Sequence, residues 1–145
     1  MDEEDLWDHV EEWYKRGVDF QVMVKRWSIS ESCVNPREGS QVWNVYAYIY
    51  PKHRLFDSFE GPDMFQPAAE ALPLHCGPTF LEYHIEQDGR VESLQVGSDY
   101  RHHGDARFSH YKTREEAREV FQDAEKLFTH LSTNPEDTNT EKEEQ

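Results

Sequence analysis

With 145 residues, 30 Asp and Glu against 15 Lys and Arg, and a formal net charge of −15, the chain has the length of one domain and a strongly acidic balance. Such a charge repels nucleic-acid phosphates and anionic lipid, so direct binding to either is not expected, and no apolar run approaches the roughly 20 residues of a bilayer span. The opening Met1-Asp2-Glu3-Glu4-Asp5 is acidic where a signal peptide is basic and then apolar, so a cytoplasmic protein is expected.

The acidity sits at the ends. Residues 1–12 hold seven acids and no Lys or Arg, and residues 132–145 hold five acids against Lys142 alone. At 100° per residue, Leu6, Val10 and Trp13 fall on one stripe, with Glu4, Asp5, Asp8, Glu11 and Glu12 opposite. This pattern predicts an amphipathic helix with a carboxylate face, ending near Arg16-Gly17.

From Val18 the period changes to two, with Val18, Phe20, Val22 and Val24 on one side of a strand. The apolar phase then shifts to Trp27 and Ile29, which predicts either a bulge near Lys25-Arg26 or a strand end covered on both faces. After the turn cluster 35–40, Val42 to Tyr50 reads as a second strand, with Trp43, Val45, Ala47 and Ile49 on one face and Tyr46, Tyr48 and Tyr50 on the other.

Lys52 to Pro78, punctuated by Pro62, Pro67, Pro73 and Pro78, predicts an irregular crossing with a short helical turn at 68–72. Thr79 to Glu86 and Val91 to Val96 flank an Asp88-Gly89 hairpin signal. Thr113-Arg114-Glu115-Glu116 has the capping-box form, and Ala117, Val120, Phe121, Ala124, Leu127, Phe128 and Leu131 then mark one helical face. Ser132 to Gln145 lacks apolar side chains and is expected to be a disordered acidic tail. The expected whole is one α+β domain over residues 1–131. Its four-stranded, mainly antiparallel sheet has an N-terminal and a C-terminal helix on one face.

Cys33 and Cys76 form no paired motif and read as reduced, partly buried thiols. His75-Cys76 with Cys33 makes only an unconstrained metal set. The richest polar stretch is Ser98 to Lys112. His102, His103, Asp105, Arg107 and His110 there can hold an anion or a transition metal, or serve a small hydrolytic site. Their spacing matches no zinc signature, and an ordered surface loop held by Asp, Tyr and His hydrogen bonds is the favoured account of them. P-loop, G-x-G-x-x-G and G-x-S-x-G motifs are missing, so catalysis is not the leading expectation, and no cofactor is expected.

The stretches Val42–His53, Leu94–Tyr100 and His102–Tyr111 resemble those of small acidic proteins encoded by bacteriophages and mobile elements. The resemblance implies a protein that binds a host protein, in some cases by imitating DNA. The leading expectation is thus a non-enzymatic inhibitor or modulator of a basic macromolecule, with Glu4, Asp5, Asp8, Glu11 and Glu12 as the contacts.

Overall fold

The computed structural model describes residues 10–29 and 40–132. Five strands form one antiparallel sheet: β1 (Val10–Gly17), β2 (Phe20–Ile29), β3 (Ser40–Ile49), β4 (Phe80–Ile85) and β5 (Val91–Asp99), in the order β1-β2-β3-β5-β4. A short helix α1 (Pro67–Glu70) lies in the crossing, and α2 (Arg118–Ser132) closes the domain.

The α+β class stands, but the sheet has five strands and not four, because the residues expected to end an N-terminal helix form an edge strand. Val10 to Gly17 pairs with β2 from Val10↔Trp27 to Gly17↔Phe20. The extended backbone puts Trp13 and Lys15 on the helix-covered side and Glu12 and Tyr14 on the other. Long-range partners support this pattern: Trp13 stacks on Trp43 with centroids 5.7 Å apart, and Lys15 Nζ donates to Glu125 of α2 at 2.9 Å. A helix spacing of three or four residues carries less weight than these contacts. Residues 1–9 of the expected helix, and 133–145 of the expected tail, lie outside the described residues, while Ser132 is the last residue of α2.

Of the two expectations for the far end of β2 the bulge is absent, and the strand there is covered on both faces, with Arg26 buried on one and Met23 and Val42 on the other. The β2 ladder with β3 runs unbroken from Phe20↔Ile49 to Ile29↔Ser40. The apolar phase shifts because Arg26, 4% exposed, turns toward the side that Trp43 occupies. There its guanidinium donates to Gln41 Oε1 at 2.7 Å and Glu11 Oε1 at 2.5 Å. Trp27 takes the opposite face, its indole N–H on Asn44 Oδ1. The register shift falls instead between His84 and Ile85 in β4, and Ile85, expected to face inward, is 62% exposed.

One sheet face carries the core. Phe20, Val22, Val24, Trp43, Val45, Ala47, Ile49, Leu94 and Val96 meet Val120, Ala124, Leu127 and Leu131 of α2. The crossing adds Phe59, Ala69 and Leu72 to the same core, while its Pro62–Phe65 segment lies beside Phe80 at the β4 edge. The capping box forms: Glu116 N–H donates to Thr113 Oγ1, and the Glu116 carboxylate accepts the Lys112 N–H, one turn before α2.

His53 pins the crossing to the end of α2. Its Nδ1 accepts the Leu55 N–H at 3.1 Å, which leaves the Nε2 proton to donate to Leu131 O at 2.9 Å. This arrangement requires the neutral ring, and burial holds the His53 pKa below its ordinary value. Burial lowers His130 in the same direction. A lowered folded-state pKa means that stability is complete above the unfolded value of about 6.5 and is lost as pH falls below it. Urea unfolding between pH 7 and pH 5 should show this loss, with a shallower slope in His53→Gln. Leu127→Ala, which empties a fully buried site at the sheet–helix contact, should cost about 2–5 kcal/mol at pH 7 by the same measurement.

Candidate functional site

The loop after β5 turns out to be built around a carboxylate. Asp105 is buried and accepts the backbone N–H of His102 at 2.9 Å. It also receives the His75 ring, whose Nε2 lies 3.0 and 2.8 Å from the two Asp105 oxygens. Burial pushes the Asp105 carboxyl up, but the His102 N–H and the His75 ring outweigh it and hold the pKa below the usual carboxylate range.

His75 lies flat on Tyr100, centroids 4.2 Å apart and 11° from parallel, and Tyr100 donates its hydroxyl to Asp123 of α2 at 2.6 Å. Burial and that carboxylate raise the Tyr100 pKa far above its ordinary value. His102 leans toward Asp99, Nε2 to Oδ1 at 3.4 Å. The cluster therefore ties the crossing, the end of β5 and α2 together.

Only part of the expected polar set converges here. His102 and Asp105 meet, whereas His103 and His110 are exposed, and Arg107 turns away to an ion pair with Glu119 at 2.9 Å. His75, the residue that completes the cluster, comes from 30 positions earlier, a separation no local motif can signal. Cys76 beside it is exposed rather than partly buried, with φ +57°, and Cys33 lies outside the described residues. Among the described residues no three His, Cys, Asp or Glu side chains gather as a metal-ligand set.

The expected carboxylate contacts separate as well. Glu11 is occupied by Arg26, and Glu12 lies 3.9 Å from Lys25 and accepts the Tyr14 hydroxyl. Glu4, Asp5 and Asp8 lie outside the described residues.

A second surface is aromatic. On the face away from α2, Tyr14, Tyr46, Tyr48, Phe80 and His84 run across β1, β3 and β4, and none of them joins the main core. Tyr46 meets Phe80 edge-on at 5.5 Å, and Tyr48 stacks on His84 at 6.0 Å. Gly97 allows this packing, since a Cβ there would strike Val45 O and the Tyr46 ring. His84 in turn bonds Gln95 Oε1 through Nε2 at 2.7 Å, which fixes its ring against Tyr48.

Burial raises the Tyr48 pKa to about 12, so its hydroxyl stays protonated at neutral pH. Glu12, Glu82 and Asp99 border the stripe. Two cations share its β1–β2 side, Lys25 near Glu12 and Arg16, whose Nε donates to Gln21 Oε1. The half built on β3, β5 and β4 presents carboxylates and imidazole.

Comparison with protein-family models, curated proteins and solved structures finds no match. No helix among the described residues is long and apolar enough to cross a membrane.

Asp105→Asn removes the charge that His75 and the His102 N–H satisfy, and should cost about 1–3 kcal/mol at pH 7. The depressed carboxyl contributes stability above its unfolded value of about 3.9 and loses it as pH falls through the lower folded value. The gap between variant and wild type in urea unfolding should therefore narrow on going from pH 7 to pH 3.

Proposed function

We propose that this protein is a non-enzymatic binding module that takes a basic protein surface onto the aromatic face of its sheet opposite α2. The observation that carries this reading is the stripe of Tyr46, Tyr48 and Phe80 with Glu82 and Asp99 at its border, on the side of the sheet away from α2. Tyrosine faces attract guanidinium and ammonium groups through the ring quadrupole, and neighbouring carboxylates add to that attraction. Aromatic groups are also the side chains that supply most binding energy in protein interfaces.

The chain's net charge of −15 supports the same partner, because it attracts basic molecules at long range and repels nucleic acid. Stacking platforms for single-stranded nucleic acid are set among Lys and Arg, whereas carboxylates border this one. The sheet, and not a helical carboxylate face, supplies the contact surface in this reading. Glu12 remains at its border, and Glu11 is already held by Arg26. Glu4, Asp5 and Asp8 add to the long-range field.

The Asp105 cluster supports a structural role more than a reactive one. His75 lies against Tyr100 with its Nε2 on Asp105, and every carboxylate in the set is engaged with a neighbour.

Calorimetric titration with an arginine-rich peptide tests the reading. Binding should saturate, weaken as salt rises, and fall about tenfold in a Tyr14→Ala/Tyr48→Ala variant that still unfolds cooperatively. Equal affinity in variant and wild type, or no binding at low salt, overturns it.

A further inference from the structure

A cleft of about 220 Å³ lies between β1 and α2, on the face opposite the aromatic stripe. Its floor is Val22, Val24 and Ala124, and Trp13, Phe121 and Phe128 wall it. The walls are set by packing: Trp13 meets Phe121 edge-on at 5.1 Å while its ring plane covers Trp43. Two cations mark the rim and they differ. Lys15 lies over Phe128 at 4.4 Å and is held by Glu125, both of whose oxygens are 2.9 Å from Nζ. Arg114 lies over Phe121 at 4.8 Å, and among the described residues its guanidinium has no carboxylate partner.

We propose that this cleft is a binding site for a small aromatic carboxylate, one or two rings in size, with the carboxylate on Arg114 and the ring between Trp13 and Phe128. Size, shape and charge each contribute. An apolar cavity of about 150 Å³ suffices for benzene, and drug-sized ligands occupy about 300–1,000 Å³, so the available space selects a ligand between them. Aromatic walls favour a flat ring over a flexible chain, through stacked and edge-on contacts.

A guanidinium free of other anions offers a two-pronged donor to a carboxylate. The orientation follows from the rim. Glu125 neutralises Lys15 and repels an anion at that end, leaving Arg114 as the anion-attracting end. An arginine without a carboxylate partner among the described residues, set beside apolar walls, is also the combination that lets an acidic chain admit an organic anion.

Calorimetry with 2-naphthoate, 2-naphthalenemethanol and octanoate tests the assignment. Wild type should bind 2-naphthoate saturably, and at least tenfold more tightly than the neutral alcohol or the aliphatic acid. Arg114→Gln, an exposed substitution that leaves the fold intact, should lose about tenfold for 2-naphthoate and nothing for the alcohol. Ala124→Leu, which fills the floor at some cost in melting temperature, should abolish binding in protein that still unfolds cooperatively. The proposal is overturned if wild type gives no heat with 2-naphthoate, if acid and alcohol bind alike, or if octanoate matches 2-naphthoate. It is also overturned if sedimentation shows a dimer that Ala124→Leu dissociates, because the cleft is then filled by a second copy.

Discussion

Trp43 is the point at which four separate segments meet. It is fully buried in the central strand β3, stacks on Trp13 of β1, and meets Phe121 of α2 at 6.0 Å and 75°. Its indole N–H donates to Tyr111 O just past the short 3-10 helix Ala106–His110, and its own carbonyl accepts the Tyr100 N–H. An indole has one donor, and burying it without a partner is costly, so the loop after β5 must come to it. Once that loop is in place, Tyr100 stands where His75 can lie on it and Asp123 can accept its hydroxyl. The polar cluster is thus a consequence of how the core closes.

The same closure divides the sheet into two unlike faces. Helix α2 and most of the crossing's core residues gather on the side of Trp43, and among the described residues the rings of the tyrosine side pack chiefly on one another across the strands. A half-exposed aromatic stripe costs solubility unless charge offsets it, and this chain is strongly charged. The acidity at the ends and the carboxylates along the stripe answer one need, and they select the sign of any partner. On the covered side, the edge strand β1 does not close fully against α2, and the cleft between them keeps Arg114 beside aromatic rings.

Much of this was legible from residue pattern. The alternation in β3, the Asp88-Gly89 hairpin and the helical face from Ala117 to Leu131 are local signals, and the structure follows them. Where pattern and structure part, the deciding contact is distant in sequence. Trp13 shares a helical stripe with Leu6 and Val10, yet Trp43 and Glu125 make the extended form of its segment the better one. Arg26 breaks the alternation of β2 because Glu11 and Gln41 receive its charge inside the sheet. His75 is separated from Asp105 by the whole β4–β5 hairpin, so its part in the cluster emerges only once the chain is folded.

The division of the sheet into a sealed face and an open aromatic face is the claim on which the functional reading rests. Nuclear magnetic relaxation with a soluble gadolinium chelate measures it residue by residue. The side-chain signals of Tyr14, Tyr48, Phe80 and His84 should broaden strongly, and those of Trp43, Leu94 and Val96 should not. Protection of the tyrosine face equal to that of Trp43 in the monomer would mean that the face is already covered, and would contradict the account.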